Sequence, residues 1–168
     1  EQGAQHSQSL HSWFSHIPGL RVVMPYSVKD ARDLMIASVL CNDPVVYIDD
    51  KWLYAETDTL EPVSEALKLE DIGPKIIKNG TNITLVASSY STKLALDLAN
   101  DAEFSSKFSA EVIDLRVLNP LKKDVILESV KKTSNLVVID GGTKTCGYAS
   151  EVISSVLENI EPSHLSSS

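Results

Sequence analysis

Short apolar runs recur along the chain, and each is closed by polar or turn-forming residues. They have the length and the Val and Ile content of buried strands, and they cover residues 20–24, 44–48, 83–87, 110–115 and 136–139. Between and around them, apolar residues return every three or four positions, which is the spacing of one helix face. The pattern predicts strands that alternate with helices, as in an α/β protein with mostly parallel sheets flanked by helices.

The same spacing predicts which helix residues face inward. Ser27 is expected to cap one helix, with Asp30 three residues later in the position of a capping box. In this helix the predicted inward positions are Ala31, Leu34, Met35, Ser38 and Val39. In a helix over 91–102 they are Ala95, Leu98, Ala99 and Ala102. In the last helix they are Ala149, Val152, Ile153, Val156, Leu157 and Ile160.

Two further segments are predicted from turn chemistry and composition. Asn119 is expected to cap a helix with Pro120 in its first position, an arrangement favoured at helix starts. Residues 55–73 are acidic, contain Pro and Gly and lack a periodic pattern, so they are predicted to be a linker that crosses the surface. Ligands of such folds usually bind beyond the carboxyl ends of the strands.

Composition narrows the classes of function. The chain has 168 residues, of which 43% are hydrophobic, and a formal net charge of −8, which argues against binding to nucleic acid or to an anionic membrane. No apolar run approaches membrane-spanning length. Cys41 and Cys146 do not make a disulfide framework, and they indicate a reducing compartment such as the cytoplasm.

Three histidines, His6, His11 and His16, lie close together near the start of the chain. On a helix, steps of five residues turn side chains by about 140° net, so the three do not share a face and a zinc site is not expected. His11 and His16 are predicted to be surface or interface residues of a helix over 8–16. His6 precedes that helix on a loop of small residues, where an imidazole can donate a proton or a hydrogen bond to an anionic ligand.

The segment IDGGTKTCG follows a predicted strand and precedes the last helix, which is the context of a phosphate-binding loop. It lacks the spacing of the known glycine-rich fingerprints, so a tight strand-to-helix turn is the favoured interpretation. Cys146 lies near this helix start, but no histidine is close in sequence to activate it. We therefore expect Cys146 to be buried and inert.

Long stretches of the chain resemble one family. GAQHSQSLHSWFSHIPGLRVVMP is similar to the beta subunit of the thiamine-diphosphate-dependent decarboxylating component of 2-oxo acid dehydrogenase complexes, a transketolase-like family with pyruvate, branched-chain and acetoin types. The resemblance continues, in the same order, in SVKDARDLMIASVLCNDPVVYIDDKWLY and AEVIDLRVLNPLKKDVILESVKKTSNLVVIDGGTKTCGYASEVI. Together these stretches cover most of the chain.

The resemblance implies a domain organisation. Residues 1–54 would be the end of a pyrimidine-binding domain, 55–73 a linker, and 74–168 an incomplete transketolase C-terminal-like domain. The glutamate that activates the aminopyrimidine and the diphosphate–magnesium motif would lie outside these residues. Thiamine diphosphate with magnesium is therefore expected in the intact enzyme and not on this chain alone.

The resemblance also implies a role for His6, which matches the histidine in the family's QHSQ motif. It would face the cofactor and the 2-oxo acid, donate a proton and stabilise an anion during decarboxylation and acyl transfer to lipoamide. The implied partners are an alpha subunit or an upstream diphosphate-binding domain, a second copy of the chain, and a lipoyl acyltransferase core.

A structural potassium ion is implied as well. Family members bind it largely through backbone oxygens, and the matching positions are Ser38, Cys41 and Asp43. Cys41 stands where relatives usually have an acidic residue, and its backbone carbonyl remains. Thr143 stands where many relatives have an aromatic residue beside a subunit contact.

Other functions stay open at this point. The chain could be a non-catalytic dimerisation or docking module of transketolase-C-terminal type, or part of another transketolase-type enzyme that acts on sugars. Within the dehydrogenase interpretation, the 2-oxo acid is not specified by these residues.

Overall fold

The chain forms two sheets with helices packed between and around them. The structure is a computed structural model, and it describes residues 3–165. Helices are α1 (His11–Ser15), α2 (Val28–Leu40), α3 (Tyr90–Asn100), α4 (Ala102–Ser105), α5 (Asp124–Thr133) and α6 (Tyr148–Leu157). Strands are β1 (Arg21–Val23), β2 (Val45–Tyr47), β3 (Lys75–Lys78), β4 (Ile83–Ala87), β5 (Ala110–Asp114), β6 (Val117–Asn119) and β7 (Leu136–Ile139).

The smaller sheet has the strand order β2-β1-β6 and the larger one β3-β5-β4-β7. In the larger sheet β4 runs parallel to both β5 and β7, and β3 is antiparallel to β5. In the smaller sheet β1 runs parallel to β2 and antiparallel to β6. The predicted α/β class with mostly parallel sheets is therefore confirmed, and both antiparallel strands lie at sheet edges.

The five predicted strands are present, whereas β3 and β6 are additions to the prediction. The helix start predicted at Asn119 is wrong. Asn119 ends β6, and its side-chain amide donates to the carbonyl oxygen of Leu20 at 2.6 Å. The next helix, α5, begins at Asp124.

Three apolar clusters fill the space between these layers. The largest lies between the sheets and beneath α5 and α6, and it contains Val22, Val86, Ile113 and Val156. A second cluster packs α2 on the smaller sheet through Val23 and Leu34, and a third packs α3 on the opposite face of the larger sheet. Successive residues of β1 point into different clusters, so this strand connects the first two.

The predicted helix faces are correct in part. In α2, Leu34 is buried, but Met35 and Val39 are exposed and Asp30 and Asp33 are buried instead. The face is rotated because ion pairs satisfy these carboxylates: Asp33 with Lys29 and Arg32, and Asp30 with Arg116.

The other two helices also bury fewer of their apolar residues than predicted. Ala95 and Ala99 of α3, and Val152, Val156 and Ile160 in and after α6, are buried as expected. Ala149 is half-buried. The remaining predicted positions are exposed, because each helix contacts its sheet along one narrow side. These exposed residues are Leu98, Ala102, Ile153 and Leu157.

Residues 55–73 contain one short 3-10 turn, Leu69–Asp71, in which Leu69 is buried. The domain boundaries expected around this segment stay a prediction. In the part of the chain that is described, no helix is both long and apolar enough to cross a membrane.

Candidate functional site

The carboxyl ends of β4 and β7 lie side by side, since Ala87 is paired with Ile139. The chain ahead of α1 lies against this edge. A Cβ atom on Gly141 would be 3.6 Å from Oγ of Ser9 and 3.8 Å from Oγ of Ser91. Residues that are far apart in sequence therefore meet where open α/β sheets usually bind their ligands.

Asp140 is the central polar group at this edge. One carboxylate oxygen, Oδ1, accepts from Nε2 of His11 at 2.9 Å and from the backbone N–H of Gly142 at 2.9 Å. The other, Oδ2, accepts from the backbone N–H of Ala149 at 3.0 Å. Burial would raise the pKa of this carboxyl, but the hydrogen bonds from His11, Gly142 and Ala149 outweigh it and lower the pKa to about 2. Asp140 is ionised at neutral pH.

His11 is buried within the chain, with 3% of its surface exposed, so the prediction of a surface or interface position is wrong. Its Nε2 carries the proton, because the partner is an ionised carboxylate. Its ring packs edge-on against Tyr148, with the ring centroids 6.2 Å apart, and the Tyr148 hydroxyl donates to the carbonyl of Leu118. Asp140, the hydrogen-bond partner of His11, lies 129 residues later in the sequence.

His6 lies on an exposed turn before α1. Its backbone N–H donates to the carbonyl of Gly3 at 3.3 Å, and the Gln8 side chain donates to the carbonyl of Ala4 at 2.8 Å. His16 is exposed at the end of α1. The three histidines thus occupy three different environments, and across residues 3–165 no group of three or more His, Cys, Asp or Glu residues is arranged to hold a metal ion.

The loop after β7 is a tight connection to α6. A Cβ atom on Gly147 would lie 2.3 Å from the carbonyl oxygen of Thr143, so this position has no room for a side chain. Cys146 is exposed and has a backbone φ of 53°, so the prediction of a buried cysteine is wrong. With Trp13, His16 and Glu151 it lines a groove of about 690 Å³ between α1 and α6.

The predicted potassium-binding positions lie at and just after the end of α2. Cys41 follows the last residue of α2, and its Sγ accepts from the backbone N–H of Asp43 at 3.4 Å. The Asp43 carboxylate accepts from Nε of Arg21 at 2.7 Å. Oγ of Ser38 is buried without a hydrogen-bond partner among the described residues. The assignment of a cation to these backbone oxygens stays a prediction.

Sequence reasoning missed a fully buried carboxyl at the same sheet edge, Asp114, which ends β5 and is paired with Ala87. Its Oδ1 accepts from the Thr92 hydroxyl at 3.1 Å, and its Oδ2 has no partner in the described part of the chain. Burial and the nearby charge of Asp30 raise the pKa of Asp114 to about 7. The one available signal was its position, as a carboxyl that follows an apolar run directly.

The sequence matches known proteins over nearly all of its length. Residues 74–164 match the family described as transketolase, C-terminal domain. The chain is 38% identical over 159 residues to the pyruvate dehydrogenase E1 component subunit beta of Rickettsia felis, which covers 92% of this chain and 47% of that protein. The mitochondrial subunit of the same name from Saccharomyces cerevisiae is 37% identical over 160 residues, or 94% of this chain and 43% of that protein. The chain thus spans about half the length of the curated relatives that it matches.

Solved structures share the fold. A split-gene transketolase, described as an inactive beta4 tetramer, superimposes with a TM-score of 0.72 at 22% identity, over 90% of this chain and 48% of that one. A transketolase from Campylobacter jejuni gives a TM-score of 0.51 at 14% identity, over 88% of this chain and 27% of that one.

Proposed function

Because this chain belongs to the transketolase C-terminal domain family, we propose that it works within the beta subunit of a thiamine-diphosphate-dependent 2-oxo acid dehydrogenase. The observation that carries the proposal is the 38% identity with a pyruvate dehydrogenase E1 beta subunit over 92% of this chain. That identity includes both sides of the segment 55–73. Pyruvate is the first substrate to test.

The proposed catalytic residue is His6. Its side chain is exposed on a turn, so its imidazole can reach a substrate or cofactor held by another part of the enzyme. A ring nitrogen of His6 would hold a proton toward the carboxylate or carbonyl oxygen of the 2-oxo acid and release it as negative charge develops there. A positioned acid of this kind is worth about 10²–10⁴-fold in rate.

Thiamine diphosphate and magnesium are proposed as the cofactors of the intact enzyme. The cofactor supplies the electron sink that lets the substrate carboxylate leave as carbon dioxide. Because His6 is exposed, its imidazole could contact a cofactor that is held by another part of the enzyme. The residues that anchor the diphosphate and the aminopyrimidine are assigned to an upstream segment and an alpha subunit.

Several further assignments belong to the same proposal. Residues 1–54 would end a pyrimidine-binding domain and residues 74–168 would form the C-terminal one. Backbone oxygens at Ser38, Cys41 and Asp43 would bind potassium. A second copy of the chain and a lipoyl acyltransferase core would be the other partners. The two free thiols are consistent with a reducing compartment such as the cytoplasm.

The test is an assay of the full-length gene product, purified with its alpha partner, thiamine diphosphate and magnesium. The proposal expects carbon dioxide release from pyruvate or another 2-oxo acid, together with acylation of a lipoyl acceptor. Transfer of a two-carbon unit between sugars would instead assign a transketolase-type enzyme. A correctly assembled protein with neither activity would assign a non-catalytic dimerisation or docking module.

A further inference from the structure

Helix α1 is short and has little to hold it in place by itself. It has five residues, its N-cap Leu10 makes no side-chain cap, and His11 is its buried residue. Helices of this length are not stable alone in water, so the position of α1 depends on its contacts with the rest of the fold. The polar contact among them is the bond from His11 to Asp140.

The Asp140 carboxylate accepts hydrogen bonds from three different parts of the fold. It accepts from His11 of α1, from Gly142 in the loop after β7, and from Ala149 in the first turn of α6. An ionised carboxylate makes stronger hydrogen bonds than a neutral acceptor does. The carboxylate therefore links α1, the loop after β7 and the start of α6.

The His11 ring is also fixed by its surroundings. A Cβ atom on Gly142 would lie 3.2 Å from Cε1 of His11, so the loop backbone lies close to the ring. Tyr148 packs against it from α6. The imidazole therefore has a defined orientation, with Nε2 directed at the carboxylate.

The segment that carries His6 is continuous with this anchor. Gln8 bonds back to Ala4, and Ser9 lies near Gly141 on the same loop that Asp140 holds. We propose that His11 and Asp140 are positioning residues, which hold the segment 3–10 on the edge of the larger sheet and so fix the place of His6. The catalytic consequence of this anchoring rests on the proposed function; the anchoring itself does not.

Amide hydrogen exchange of the purified chain tests the anchoring directly. His11→Phe keeps a ring against Tyr148 and removes the donor, and Asp140→Asn removes the charge. Both variants are expected to speed exchange of the hydrogen-bonded amides of Trp13 and Ile17, in and just after α1, by about 10–100-fold. That factor corresponds to the loss of one charge-assisted hydrogen bond. His11→Gln, whose amide can still donate to Asp140, is expected to restore most of the protection. His16→Phe and Asp97→Asn are the matched controls at exposed positions.

Exchange in β4, β5 and β7 shows whether each variant is folded. Equal exchange of the Trp13 and Ile17 amides in the parent, Asp140→Asn and His11→Phe, with the strands still protected, would overturn the proposal. So would a His11→Gln variant that exchanges as fast as His11→Phe. If His11→Phe unfolds, Asp140→Asn and His11→Gln decide the question.

A second measurement uses the assembled full-length enzyme. There, Asp140→Asn is expected to lower kcat by about tenfold while KM stays within about twofold, because a misplaced catalytic group affects the reaction step more than substrate binding. A rise in KM with unchanged kcat would contradict the link to His6. An inactive parent enzyme would refute the proposed function, and the exchange experiment would still decide whether the anchor exists.

Discussion

His6 is the residue on which the proposed chemistry depends. Replacement by Ala in the full-length enzyme is expected to leave folding nearly unchanged, because the side chain is exposed and packs against little. Turnover with the lipoyl acceptor should fall by about 10²–10⁴-fold, the usual contribution of a positioned acid or base. Steady-state kinetics and a thermal melt measure the two effects.

His16→Ala is the matched control for this variant, since His16 is also exposed and lies in the same segment. It should keep both turnover and melting temperature. Parental turnover in the His6→Ala enzyme would remove His6 from the catalytic machinery.

Asp114 makes the stability of the fold depend on pH. Its folded pKa, raised to about 7, lies above the ordinary value of 3.8 in the unfolded chain, so the folded state binds its proton more tightly. The stabilisation is complete below pH 3.8 and is lost as pH rises to about 7. Between these limits the free energy of unfolding should fall by up to about 1.4 kcal/mol per pH unit from this group.

Urea denaturation at several pH values between 4 and 8 measures this slope. Asp114→Asn keeps the size of the side chain and cannot ionise, so its curve should be flatter than the parent's. Asp97→Asn, at an exposed position, should follow the parent. Asp140, with its pKa lowered to about 2, contributes the opposite dependence at lower pH, where its stabilisation is lost as the pH falls.

At this scale the sequence predicts local exposure better than long-range burial. The exposed position of His6 followed from its loop of small residues, and its catalytic role stays a prediction. The burial of His11 could not be predicted, because its partner Asp140 lies 129 residues later and no local spacing connects the two. Cys146 was wrongly placed as well. It is exposed in a left-handed backbone conformation, which is uncommon for a non-glycine residue and which no local spacing predicts.

Helix α6 has a buried face and an exposed face, and substitutions on the two faces should differ in their effect on stability. Val156 is 1% exposed and packs in the cluster between the sheets, whereas its neighbour Leu157 is 59% exposed. Val156→Asp would bury an unpaired charge and should destabilise the protein by about 3 kcal/mol or more. Leu157→Asp, the matched control, should stay within about 0.5 kcal/mol of the parent. Equal melting temperatures for the two variants would show that α6 does not pack as described.

The strands with parallel neighbours were predictable as elements, and the antiparallel edge strands β3 and β6 were not. β4 and β5 read as apolar runs because a parallel sheet covered by helices buries both faces of its central strands, and β7 carries the same apolar signal at the edge. β3 has two lysines around two isoleucines, and β6 is followed at once by Pro120, so neither carries that signal. The face of α2 was missed because ion pairs satisfy two buried aspartates, and a hydrophobicity pattern assigns such residues to the surface.

The chain by itself is expected to hold only part of the binding site for the proposed cofactor. A single hydrogen bond, such as His6 can supply, contributes about 0.5–1.5 kcal/mol net, and micromolar affinity requires about 8 kcal/mol. The isolated chain should therefore fold and show no saturable binding of thiamine diphosphate with magnesium. Exposed Trp13, Ile17 and Leu157 should favour self-association.

Isothermal titration calorimetry and light scattering check these two expectations. The full-length enzyme with its alpha partner is the positive control for the titration. Binding by the isolated chain tighter than about 10 μM, or about 7 kcal/mol, would place the cofactor anchors within these residues.

The smaller sheet takes β1 and β2 from the start of the chain and β6 from far along it. Asn119, at the end of β6, is bonded to Leu20, 99 residues earlier. During synthesis at about 5–20 residues per second, the ribosome therefore releases β1 several seconds before its second neighbour exists. Through that interval β1 has one unpaired edge, and open strand edges of this kind recruit other chains. We therefore expect β1 of the nascent chain to be open to pairing with other chains until residue 119 emerges, an exposure that ends when β6 pairs with β1.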